Sequence, residues 1–138
     1  MQPAIQTKPM SKGRVWTGRV LSGLAVLFLL FDGIMKILKV APVLETHAQL
    51  GIPDALARPI GALELLCVLV YLIPQTSVLG AILLTGYLGG AVMTHVRVGS
   101  PLFSHVLFPT YVGALIWGGL VLRDDRLLGV ILFRETND

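Results

Sequence analysis

Five ionisable residues stand inside otherwise apolar stretches of the chain: Asp32, Lys36, Glu64, His95 and Arg97. A charge at the centre of a bilayer-spanning helix costs about 2.5–3.5 kcal/mol on insertion scales, so such residues mark internal pairing or a functional site. Asp32 and Lys36 lie four apart with the acid first, the spacing of an ion pair on one helix face. Glu64 and His95 are the residue types of general acid–base chemistry, here on an apolar substrate. Plainer roles stand beside these. Asp32 and Lys36 can simply neutralise each other, and Lys36, Lys39 and Arg97 can reach to lipid phosphates along their apolar stems. Glu64 and His95 can form a structural hydrogen bond that fixes helix register. The remaining option is a polar pocket that binds a lipid-soluble ligand, with Asp32, Lys36 and Arg97 as ligand-binding groups.

These residues need long helices to hold them. The apolar stretches predict four transmembrane spans, at about 15–38, 58–74, 78–98 and 106–122. A polar tail, 1–14, precedes them and is expected to be disordered, and a mixed tail, 123–138, follows. The polar connection 39–56 and the turn 75–77 join the first three spans. In the last tail, 127–133 is too short to span and fits the membrane interface. A cleaved leader is not expected, because the first apolar core runs straight into Asp32-Gly-Ile-Met-Lys36 with no small-residue cleavage site. At 1.5 Å per residue, Asp32, Glu64 and His95 lie about 10, 7–8 and 6 Å from the helix ends that face away from the termini. An up-down arrangement therefore gathers all three at one depth. His95 and Arg97, about 200° apart around their helix, point in different directions. His95 shares a face with Tyr87 and Ala91, beside the small-residue stripe Gly86, Gly90, Thr94, which admits a close neighbouring helix.

Composition agrees with a lipid solvent. Hydrophobic residues make up 54% of the chain and charged ones 14%, and mean hydropathy is +0.78. A soluble domain of this size buries only about 68–70% of its unfolded surface and needs polar groups for the rest. The expected fold class is all-α, a membrane-embedded four-helix up-down bundle with a polar N-terminal tail. Period-2 alternation is absent, which argues against a β-barrel. The second to fourth segments are apolar nearly all round, which argues against a soluble bundle. The net charge of +3 sits mostly in tails and loops and forms no stripe for nucleic acid.

Cys67 is the single cysteine, so no intrachain disulfide or dithiol pair exists. His47 and His105 lie in connections, without the spacing of a metal or haem site. Trp16, Trp117, Tyr71, Tyr87 and Tyr111 are expected as packing or interface anchors. Seven of the eleven basic residues (Lys8, Lys12, Arg14, Arg19, Arg123, Arg126 and Arg134) fall on the side of the termini, against Lys36, Lys39, Arg58 and Arg97 on the other. The excess predicts both termini in the cytoplasm of a multi-pass cell-membrane protein.

Two stretches resemble a known family. Gly61-Ala-Leu-Glu-Leu-Leu66, running to Leu72-Ile-Pro74, is similar to the Gly-x-x-Glu-Leu second-helix motif of the DoxX-like family. Gly90-Ala-Val-Met-Thr-His-Val-Arg-Val-Gly99 is similar to its third-helix pattern, and Gly33-Ile-Met-Lys36 to its Gly-x-x-Lys ending. The resemblance covers about 15–122 and implies a four-helix membrane bundle with Lys36, Glu64, His95 and Arg97 as typical polar positions. Asp32 belongs to that pattern less clearly. It also implies a link to quinone-dependent redox complexes, with quinone as the cofactor to consider.

Three functions follow as expectations. The favoured one is an accessory subunit of a membrane redox system, with a polar intramembrane site near the non-cytoplasmic face and a redox protein or a second copy as partner. The second is a small enzyme using Glu64 and His95 as acid and base on a lipophilic substrate. The third is a binder or transporter of a lipophilic molecule, which the absence of an inverted repeat makes less favourable as a transporter.

Overall fold

A computed structural model describes residues 9–132, and they are helical with no strand among them. Helix α1 (Lys12–Leu38) starts where Ser11 caps it, its hydroxyl accepting from the Arg14 amide at 3.2 Å. The cap places the start three residues ahead of the expected position. Residues 12–14 are therefore helix, not tail, and the first eight residues of that tail lie outside the described residues. Lys39, in the left-handed region with φ 51°, closes α1.

The connection 39–56 contains an element that hydropathy does not reveal. Helix α2 (Ala41–Leu50) has Pro42 in its first turn, where the missing N–H costs nothing, and Gly51 in the left-handed conformation at its end. A 3-10 turn (Asp54–Leu56) leads into α3 (Ala57–Leu72), and a second (Pro74–Thr76) into α4 (Ser77–Arg97). A π-helical turn (Leu102–Val106) precedes α5 (Phe108–Arg123), and α6 (Asp125–Ile131) ends the described chain. Four helical segments, Lys12–Leu38, Asp54–Leu72, Pro74–Arg97 and Leu102–Arg123, are long and apolar enough to cross a membrane. Each matches an expected span to within a few residues.

Helix α1 packs on α3 and α5, and α4 packs on the same two, so α1 and α4 stand diagonally across the centre. Ala25, Leu29, Val68, Leu84 and Ile116 fill that centre. Leu27, Phe31, Leu66, Leu69 and Ile82 point outward and are exposed. An apolar periphery around a small apolar core is what a lipid solvent demands. Helices α1 and α3 cross closely. A Cβ built on Gly61 would stand 2.8 Å from the Gly33 carbonyl oxygen and 2.8 Å from the Lys36 Cβ.

The half nearer the termini holds a polar network of its own. The Tyr71 hydroxyl donates to the Ile116 carbonyl at 2.9 Å, and Ser22 Oγ lies 2.7 Å from it. Arg123 donates to Ser22 Oγ at 3.0 Å and to the Gly119 carbonyl at 3.0 Å. Arg14 pairs with Asp125 and donates to the Val121 carbonyl, which ties α6 to the start of α1. Buried hydroxyls find partners because an unmade hydrogen bond in this setting costs about 1–3 kcal/mol. Tyr71 is thus a polar tie between three helices as well as an apolar filler.

Candidate functional site

Three helices converge on Lys36 in the half away from the termini. Its Nζ donates to Glu64 Oε2 of α3 at 2.8 Å, to the Tyr87 hydroxyl of α4 at 2.8 Å, and to Asp32 one turn earlier on α1. Tyr87 in turn donates to Glu64 Oε2 at 2.9 Å. Glu64 is fully buried, at 0% exposure. The expected Asp32–Lys36 pair is therefore present, but it is part of a four-residue network.

The network borders a cavity of about 510 Å³. Its apolar walls come from Phe28 and Leu29 of α1, Leu63 of α3, Leu88 of α4, and Phe108 and Val112 of α5. Its polar lining is Asp32, Lys36, Glu64, Tyr87 and His95, with Thr46 and His47 contributed by α2. Two buried polar atoms there have no partner, Glu64 Oε1 and His47 Nδ1.

The sequence-predicted residues divide clearly. Asp32, Lys36, Glu64 and His95 line the cavity together. Glu64 and His95 do not hydrogen-bond each other. His95 Nδ1 instead lies 3.0 Å from Ser100 Oγ, and its ring meets that of His105 edge to face, 5.8 Å between centroids. Arg97, offered both as a ligand-binding group and as a contact to headgroup phosphate, does not line the cavity; its guanidinium donates to the Leu50 carbonyl at the end of α2. No group of three metal-ligating side chains occurs among the described residues.

Two cavity-lining positions carried weak signals. Tyr87 shares a face with Ala91 and His95, so its place at the depth of Glu64 was readable, yet its hydroxyl was expected only as an anchor. His47 sits in a polar connection, where only the Pro42 and Gly51 boundary signals betray a helix.

The hydrogen-bond inventory decides what the cavity can accept. An ammonium has three donors, and Lys36 uses all three on Asp32, Glu64 and Tyr87. The Tyr87 proton goes to Glu64. What this network leaves open is an acceptor, Glu64 Oε1, on one of two carboxyl groups that share an ammonium; His47 Nδ1, the other unpartnered atom, donates or accepts according to its tautomer. A neutral or cationic group with an O–H or N–H to donate fits there; an acceptor-only or anionic group does not.

His47 supplies a pH dependence. It is 4% exposed, and burial, reinforced by the charge of Lys36, holds its pKa below the ordinary imidazole value. The folded chain then binds fewer protons than the unfolded one as pH falls below about 6.5. Stability is accordingly expected to be level above that pH and to decline below it. Thermal unfolding of the purified protein between pH 8 and 5 checks this. His47→Leu should flatten the acid limb, and an unaltered acid limb in that variant would remove His47 as its cause.

A sequence model of the DoxX-like family matches residues 20–119, a range that includes every residue lining the cavity. No curated protein and no solved structure matches the chain.

Proposed function

This chain belongs to the DoxX-like family, and from that premise we propose that it is a membrane component of a quinone-linked redox system that holds a lipophilic hydroxyl-bearing molecule, a hydroquinone or related phenol, against Glu64. The observation that carries the reading is Glu64 Oε1: fully buried, unpartnered and at the wall of a cavity large enough for a substituted ring. A buried acceptor left open costs stability, and a donated hydroxyl from a ligand returns it. The apolar walls take the rest of such a molecule, in the usual division between a shape-filling surface and a few placed polar groups. With one cysteine the chain has no dithiol of its own, so the role assigned to it is accessory, with electrons passing through a partner protein. The excess of basic residues on the side of the termini supports cytoplasmic termini and a cavity in the opposite half of the bilayer.

An enzyme with Glu64 and His95 as acid and base has less support. Glu64 is engaged by Lys36 and Tyr87, and His95 by Ser100.

Binding of 2-decyl-1,4-hydroquinone, the matching quinone and the hydroquinone dimethyl ether to the reconstituted protein tests the proposal. The hydroquinone should bind best. Losing a hydrogen bond to a charged acceptor is worth about 1.5–3 kcal/mol, so the dimethyl ether, and Glu64→Gln with the hydroquinone, should each bind roughly tenfold or more weakly. Equal binding of all three compounds would sink the reading.

A further inference from the structure

Three sides of the cavity differ in what closes them. Toward the aqueous connections α2 covers it: His47 and Leu50 are buried there, and Arg97 holds the Leu50 carbonyl. Between α1 and α5 the rings of Phe28 and Phe108 meet edge to face, 5.0 Å between centroids, and close the wall. Between α3 and α4 the wall is made by Leu63, 52% exposed, and by Gly86 and Gly90, both exposed. A Cβ added to either glycine would meet nothing within 4 Å. The stripe expected to receive a neighbouring helix therefore receives none from the described residues. It forms the rim of a cavity whose depth holds the open oxygen of Glu64.

We propose that the ligand enters and leaves laterally, from the hydrocarbon of the bilayer, through a portal between α3 and α4 rimmed by Leu63, Gly86 and Gly90. The proposal rests on the ligand-binding reading above and adds the route. Glycine weakens a helix interior relative to alanine, and at these two positions no close approach among the described residues offsets that. A missing side chain here leaves the mouth open. Gly90 lies about 10 Å along the helix from Arg97, so the mouth opens at hydrocarbon depth, where a lipophilic molecule already resides. A hydroxyl dissolved there has no hydrogen-bond partner, and Glu64 Oε1 provides one.

The test is kinetic. Exchange of tritiated 2-decyl-1,4-hydroquinone is followed in phosphatidylcholine nanodiscs containing the protein. The double variant Gly86→Leu, Gly90→Leu should slow association and dissociation alike, by on the order of tenfold, and leave the equilibrium constant nearly unchanged, because a narrowed passage alters rates and not end states. Gly89→Leu, one residue from the rim and equally free of neighbours, should change neither rate. A single Gly90→Cys, folded first and then capped with N-cyclohexylmaleimide, gives the same readout without burdening folding. Unchanged rates in both portal variants, with Glu64→Gln still weakening binding, would overturn the portal and leave the binding site standing. Loss of saturable binding by the unaltered protein would overturn both. A fall in particle mass from two copies to one on Gly90→Leu would assign the stripe to a helix–helix contact and overturn the portal.

Discussion

Lys36→Met is expected to cost about 3–5 kcal/mol of stability, the range for removing one partner of a buried ion pair. Among the described residues, Lys36 alone donates to Asp32, Glu64 and Tyr87 together. Methionine nearly matches its volume, so packing changes little and the effect isolates the charge. What remains is a carboxyl group at 0% exposure with one hydroxyl donor, Tyr87, and no cation. Denaturant or SDS titration of the protein in bicelles reads the loss. The double variant Lys36→Met, Glu64→Gln should recover a large part of it, because replacing both members of a buried pair by neutral groups removes the uncompensated charge along with the compensation. A coupling of about 0.5–3 kcal/mol between the two sites is expected from such a cycle. A Lys36→Met protein within about 1 kcal/mol of the original would show that lipid or water already screens Glu64.

How much of this was legible before the structure follows from what each signal encodes. Span existence and limits were readable because length and hydropathy are sums over many residues, and α1, α3, α4 and α5 occupy the expected stretches. The depth of Asp32, Lys36, Glu64 and His95 was readable because rise per residue is fixed. Azimuth was not, because it depends on how one helix crosses another. Lys36 therefore turned out to be the hub that the sequence could offer only as one half of an ion pair, and the Glu64–His95 bond that the sequence allowed gives way to Glu64–Tyr87 and His95–Ser100. Helix α2 escaped because ten residues in a polar connection carry too little periodicity to stand out from a loop. The Ser22–Tyr71–Arg123 network escaped for another reason. Serine and tyrosine in apolar runs are ordinary filler by composition, and only their meeting across three helices makes them a polar core.

The family-like stretches acquire a physical meaning at the crossing of α1 and α3, and Gly61→Val tests it. Gly33 precedes Lys36 by three residues and Gly61 precedes Glu64 by three, so each charge lies one turn beyond its own glycine, on nearly the same face. The two glycines meet: a Cβ on Gly61 would fall 2.8 Å from the Gly33 carbonyl oxygen, which belongs to backbone and cannot swing aside. Valine there must push α1 and α3 apart, at about 3 kcal/mol, the upper end for overpacking. The same displacement acts one turn later on the 2.8 Å contact between Lys36 Nζ and Glu64 Oε2. Gly18→Val is the matched control. It overpacks the α1–α5 crossing, where a Cβ would stand 2.8 Å from the Gly119 carbonyl oxygen, and it is remote from the cavity. Both variants should melt earlier by similar amounts. Measured well below those melting temperatures, hydroquinone binding should survive in Gly18→Val and fall in Gly61→Val by roughly tenfold, the loss of one well-formed charged hydrogen bond. Equal retention of binding in both would mean that the glycines serve only the tightness of the fold, and that the charges find each other without them.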